Sequence, residues 1–308
     1  MGYFHLVFTL PAEAHDLVRY NERLLYGTLF QEAWAALSKL CADLHYLGAR
    51  PGTVAVLHTW GQNLHYHPHI HCIVPGGGLR GGKWVSAREE FLVPVQALSA
   101  MFKGKFVSAL RRHYRAGRLR LDGLCSRFRG KQAFDSLLNR LMVQDWVVYA
   151  KAPFAGPEQL LGYLGRYTHR VAIGNHRIAS LDKDTVCFRW RDYADGNRQK
   201  VMCLSHEEFI RRFLQHCLPA RFCKIRYSSP AEALAKEGRH LVQPVAKAGF
   251  GPLQAGLGGK SATPTSSPIL ARTLPAGCRR RLGGVPGVRQ RPHADGYLDT
   301  GRASAAFS

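Results

Sequence analysis

Histidine recurs at every second position over one short stretch: His65, His67, His69 and His71. On a β-strand this spacing puts all four imidazoles on one face and Tyr66, Pro68, Ile70 and Cys72 on the other. Neutral imidazole is a good ligand for divalent metals, and two rings on one strand face lie close enough to share an ion. A single such pair is as readily a solvated polar face; four in register after a turn favour a site. A second group with reactive character is the pair Tyr163 and Tyr167 in YLGRY, four residues apart and so on one face of a helix. A phenol is a poor nucleophile until it is deprotonated or its target is polarised. Arg166, His169 and Arg170 stand beside the pair, and guanidinium groups with a nearby metal can do both. By spacing alone, two tyrosines of this kind are more often aromatic core. The adjoining cations and the earlier histidine strand shift the balance toward chemistry.

The elements that must carry these groups are legible in the periodicities. Tyr3 to Leu10 reads as a strand closed by Pro11, and Pro11 to about Leu47 as a helix with Gly48 at its C-cap. Thr53 to Trp60 is a strand, GQNL a turn, and His65 to Val74 a second strand, so the histidines sit on a hairpin. Gly76, Gly77 and Gly78 follow as a loop in which backbone could approach a ligand closely. Helical spacing returns from about Pro94 to Gly117 and from Phe134 to Met142; Trp146 to Ala152 is a strand; Gly156-Pro157-Glu158 opens the tyrosine helix. Val171 to Ile173, Arg177 to Leu181, Thr185 to Arg191 and Lys200 to Leu204 read as strands. Ser205-His-Glu-Glu208 is a capping box for a helix, and Phe222 to Tyr227 is a last strand. Beyond about Lys247 the chain turns rich in Gly, Pro and Ser and loses its periodicity, which reads as disorder. The expected division is a catalytic domain over 1–228 and a basic, disordered tail over 229–308.

Composition narrows the partners. The chain has 308 residues with 43 Lys and Arg against 21 acids, a formal charge of +22, and 46% hydrophobic residues. That is enough apolar material for a core, and a charge that favours capture of polyanions. Between Lys103 and Lys131 the cations Arg111, Arg112, Arg115, Arg118, Arg120, Arg127, Arg129 and Lys131 crowd together with Asp122 the only acid, a stretch suited to phosphates. A solvated helix face is the alternative for any one of them. No apolar run is long enough to span a membrane, and MGYFHL lacks the pattern of a signal peptide or a myristoylation site. The eight cysteines form no CxxC pair, which suits reduced thiols in the cytoplasm.

Taken together, YFHLVFTLP, VLHTWGQNLHYHPHIHCIVPGGG and YLGRYTHRVAIGNHRI resemble, in order, blocks of the HUH-type two-tyrosine transposases of bacterial insertion sequences, which work by a rolling circle. The resemblance runs from about residue 3 to 227. It implies an α+β fold, an antiparallel sheet with flanking helices related to replication-initiator nucleases. It further implies that His69 and His71 hold Mg2+ or Mn2+ with a third polar ligand. Gln62, just upstream, is the expected third ligand, with His169 and His67 as alternatives. Tyr163 or Tyr167, assisted by Arg166, would cut single-stranded DNA at the transposon ends and target through a 5′-phosphotyrosine. Such a protein would work in the cytoplasm, at the nucleoid; the resemblance leaves its oligomeric state open. Full-length relatives carry a cysteine-rich zinc-binding segment ahead of the first strand, where this chain starts, and the tail replaces the expected continuation beyond Arg226. A truncated copy, even a non-catalytic DNA-binding remnant, is therefore among the expectations. His67-Pro68-His69-Ile70-His71 also resembles the histidine-triad signature of nucleotide hydrolases and transferases, a competing reading in which the middle histidine is the nucleophile.

Overall fold

The computed structural model describes residues 2–88, 91–155, 172–193 and 195–229, with backbone alone over 152–155. Five strands make the main sheet: β1 (Gly2–Thr9), β2 (Thr53–Trp60), β3 (Tyr66–Pro75), β6 (Val148–Ala155) and β10 (Ile225–Ser228), in the order β10-β2-β3-β1-β6. Every neighbouring pair is antiparallel. Together with the helices, this is the expected α+β class.

Alternation along the strands sorts their side chains into two different faces. Phe4, Leu6, Phe8, Ala55, Leu57, Ile70, Cys72 and Val74 point to one side and join the main core. There they meet α2 (Glu22–Ala42) and α3 (Val95–Arg115), with α4 (Lys131–Val143) packed outside α3. Phe102 of α3 meets Phe8 edge-on, with ring centroids 5.1 Å apart, and Trp146 packs on Phe102 and Phe106. Val7, Val56 and Ile73 are equally buried but point the other way, outside that core. Their face is the one that carries the histidines.

Three local features differ from the sequence pattern. The long first helix is broken: α1 (His15–Tyr20) ends at Asn21, and α2 starts again at Glu22. Asn21 is buried, and its side chain donates to the carbonyls of Leu17 and Arg120 and accepts from the Arg120 amide. A side chain that satisfies a distant loop in this way offers the backbone an alternative to continued helix. Second, the triple glycine is no open loop. Gly77–Arg80 forms β4, paired with β5 (Lys83–Ser86), and a Cβ on Gly77 would lie 2.4 Å from the Trp84 ring. What approaches these glycines is the protein's own Trp84 and the Arg50 carbonyl, rather than a ligand. Third, residues 172 and 173 take no strand conformation.

A smaller sheet of β7 (Ile178–Leu181), β8 (Thr185–Asp192) and β9 (Arg198–Ser205) leads into α5 (His206–Leu214). The Ser205 hydroxyl caps α5 by accepting from the Glu208 amide at 3.3 Å, as the capping box requires. Cys187 and Cys203 lie directly opposite one another on β8 and β9 and are joined as a disulfide, an exception to the expected reduced thiols. No helix among the described residues is long and apolar enough to cross a membrane.

Candidate metal centre

The β2–β3 hairpin builds the site. In its register His58 stands opposite His69 and Val56 opposite His71. Residues opposite one another share a face, so His58 joins the histidine row of β3. The row itself is shorter than expected: β3 starts at Tyr66, so His67, His69 and His71 alternate along it, while His65 stands exposed in the preceding turn.

His58, His69 and His71 each offer a ring nitrogen, and these atoms all lie within 4.8 Å of one another. All three rings are buried. The Nε2 atoms of His69 and His71 are 3.1 Å apart. Two nitrogens bound at about 2.0–2.1 Å to one ion would stand about 3.0–3.4 Å apart, depending on the coordination angle. The pair is thus already spaced to share a cation. His58 sits close by, its ring centroid 4.5 Å from that of His71 and 5.4 Å from that of His69.

The hydrogen bond at its other nitrogen sets the tautomer of His69, and the contact with His5 allows the matching one in His71, which matters because only a lone pair can ligate. His69 Nδ1 lies 2.7 Å from the His67 carbonyl, an acceptor only, so this nitrogen carries the proton and Nε2 is left as a lone pair. His71 Nδ1 lies 2.9 Å from Nε2 of His5 on β1. With the proton on His71 Nδ1, donated to His5, the second lone pair turns toward the first. Burial keeps these rings neutral: it lowers the pKa of His69 from 6.5 to about 3, aided by His58, and that of His71 well below 6.5, aided by His69 and His58. Burial likewise brings His5 down to about 4 and His67 to about 3. Neutral, converging imidazoles of this kind can bind a metal ion.

Of the expected ligands, His69 and His71 are thus brought together, and the nitrogen that joins them is from His58, which the sequence pattern had not singled out. Neither had it singled out His5. Gln62 lies in the adjoining turn, where its side-chain amide donates to the Tyr193 hydroxyl at 3.1 Å and its carbonyl accepts from Arg177. His67 faces His15 of α1, with ring centroids 5.9 Å apart. Tyr163, Arg166, Tyr167 and His169 lie outside the described residues.

The basic stretch lies on the helical side of the sheet, at the end of α3 and in the turns before α4. Several of its cations are tied down: Arg112 to Glu32 at 2.9 Å, Arg127 to Asp16 at 2.6 Å, and Lys131 to Asp135 at 3.7 Å. Asp122 lies 3.6 Å from both Arg120 and Arg129. Arg111, Arg115 and Arg118 are exposed and make no ion pair among the described residues. Asp16, the partner of Arg127, belongs to α1, next to the histidine that meets His67. The basic stretch therefore reaches the His67 end of β3 even though it occupies the other layer.

Residues 52–232, which include the hairpin, match the family model Y2_Tnp, described as "Putative transposase". The protein described as "Putative transposase y4qJ" of Sinorhizobium fredii (strain NBRC 101917 / NGR234) is 48% identical over 227 residues, 73% of this chain and 57% of that protein. The transposase for insertion sequence element IS801 of Pseudomonas savastanoi pv. phaseolicola is 29% identical over 229 residues, 72% of this chain and 52% of that protein. The chain thus spans a little over half the length of these relatives. No solved structure matches it. With more than half of its length matching the model, the chain belongs to the Y2_Tnp family of transposases.

Proposed function

We propose that this chain carries the nicking and joining centre of a DNA transposase acting on single-stranded DNA at the element's ends and its target. The observation that carries the proposal is the convergence of His58, His69 and His71 on one buried face, with two ligand nitrogens 3.1 Å apart. The names of the relatives support it: each is described as a transposase, one of them for an insertion sequence.

The roles divide as follows. His69, His71 and His58 would hold a divalent ion, with Gln62 the nearby amide candidate. Once bound, that ion supplies Lewis-acid polarisation of the scissile phosphate. Of Mg2+ and Mn2+, the all-imidazole group favours Mn2+, because Mg2+ prefers oxygen ligands and keeps its water. His5 and the His67 carbonyl hold the rings of His71 and His69 in their ligating tautomers. The hydroxyl of Tyr163 or Tyr167 attacks phosphorus, and the bond to the 3′-oxygen breaks. The phenol gives up its proton, the leaving 3′-oxygen takes one up, and the products are a 5′-phosphotyrosine and a 3′-hydroxyl. Arg166 stabilises charge on the phosphate, and the second tyrosine permits a second strand to be cut while the first link is kept. Residues 1–228 would form this catalytic domain and 229–308 a tail, and the protein would act at the nucleoid.

The test is a covalent adduct. Incubation with single-stranded DNA and Mn2+ is expected to yield a protein–oligonucleotide species stable to denaturant, lost with EDTA and lost in Tyr163→Phe/Tyr167→Phe. An adduct of undiminished yield in the double variant would sink the tyrosine mechanism. Salt-sensitive DNA binding with no adduct under any metal would leave a DNA-binding remnant.

A further inference from the structure

On the helical side of the sheet, away from the histidines, a cavity of about 300 Å3 opens between α2 and the edge strand β10. It exists because small residues meet there: Ala33 of α2 faces Ala55 of β2 and Cys72 of β3, where branched side chains would close the gap. Trp34, only half-buried, forms one wall. Arg226 of β10 forms the other, its guanidinium 4.5 Å from the centre of the Phe30 ring and 5.5 Å from that of Phe222. No carboxylate pairs with Arg226 among the described residues. A cavity with an indole wall and a guanidinium held over aromatic rings, unpaired with any carboxylate among the described residues, is suited to a planar, anion-bearing ligand.

We propose that this cavity receives one unstacked base of a single-stranded DNA substrate, the base against Trp34 over the alanine floor and an adjoining phosphate on Arg226. The proposal rests on the DNA-processing function inferred above. Three features select this occupant. The volume, at the lower end for ligand pockets, excludes a duplex but admits a base. Base–aromatic stacking tolerates every base, as a mobile element needs away from its recognised ends. The chain's charge of +22 draws polyanions, and Arg226 is a cation of that surplus in the wall of the cavity. Because β10 is the edge of the sheet, a single strand can cross it from the histidine face to this one.

The experiment measures equilibrium binding of the full chain to an oligothymidylate of about 20 nucleotides, long enough for a site of this class, and to an abasic strand of equal phosphate number. The wild-type chain is expected to prefer the oligothymidylate. Ala55→Leu, which fills the cavity without altering charge, is expected to weaken oligothymidylate binding by about fivefold or more, the low end for one stacked base. Its binding to the abasic strand should stay at the wild-type level, so the preference for bases shrinks. Arg226→Gln should weaken oligothymidylate binding to a similar extent. Thermal melting of each variant verifies folding, and Trp34→Leu, which removes the stacking wall at a half-buried position, carries the same expected loss of base preference if Ala55→Leu destabilises the core. Wild-type preference for bases in Ala55→Leu and Trp34→Leu, or an equal loss on the two strands in either, would overturn the pocket while leaving the nicking centre intact. Wild-type protein that binds neither strand at low salt would overturn the DNA-processing function, and the pocket with it.

Discussion

At the scale of single residues, the contact between His5 and His71 has a consequence for metal affinity. Outer groups that orient a ligating histidine are typically worth 10- to 100-fold in binding. His5→Ala is therefore expected to weaken Mn2+ binding, measured by calorimetric titration, by about tenfold or more. His5→Gln, which returns a hydrogen-bonding group near the lost Nε2, is expected to recover much of it; equal affinity in all three proteins would exclude a positioning role. His216 shows how a buried imidazole ties stability to pH. It is 2% exposed, its Nε2 lies 3.1 Å from the Leu64 carbonyl and its Nδ1 3.2 Å from the Thr59 hydroxyl, and burial lowers its pKa from 6.5 to about 4. Between those values the unfolded chain takes up a proton that the folded chain refuses. Stability from this residue is thus fully present above about pH 6.5 and is lost as pH falls toward 4, in all by about 3 kcal/mol. Urea unfolding at pH 7 and pH 5 is expected to show this loss in the wild type and a smaller one in His216→Gln.

At the scale of elements, Asn21 is the point where one helical pattern becomes two helices. Its alternation of apolar residues does not announce a break, because the partners that justify it, Arg120 among them, come from ninety-nine residues further along the chain. Asn21→Ala would leave the Arg120 backbone groups and the Leu17 carbonyl without these partners. A loss of about 3 kcal/mol in unfolding free energy is expected, since each buried group left unsatisfied costs about 1–3 kcal/mol; a loss below about 0.5 kcal/mol, the range of ordinary surface changes, would show that the break is maintained otherwise. The glycine triplet teaches the same lesson in reverse. Its backbone freedom was legible, yet the object it accommodates is Trp84 from the strand next door. The capping box of α5, which depends only on residues three apart, was legible in full.

At the scale of the whole molecule, charge and layer order govern how DNA would be held. Arg111, Arg115 and Arg118 are the exposed cations of the basic stretch without ion pairs among the described residues, whereas Arg127 ties the turn before α4 to α1 through Asp16. Replacing the first three with Gln is expected to lower the slope of log binding constant against log salt by about 0.7 per lost phosphate contact on single-stranded DNA, with little change in melting temperature. Arg127→Gln should instead lower the melting temperature; an unchanged slope in the triple variant would remove these residues from the DNA path. The sequence by itself determined the strand-borne histidine alternation and the hairpin that carries it, because both are written in local spacing of period 2; the basic stretch was legible in composition, and the α+β class through the family resemblance. Only the tertiary structure decided that His58 joins His69 and His71 in a group that could hold a metal ion, and that His5 contacts His71 beside it. Both depend on strand register, and a one-residue slip in either pairing would have turned those rings to the helical face. The histidine row became a centre when β2 and β1 were laid against it in one particular register.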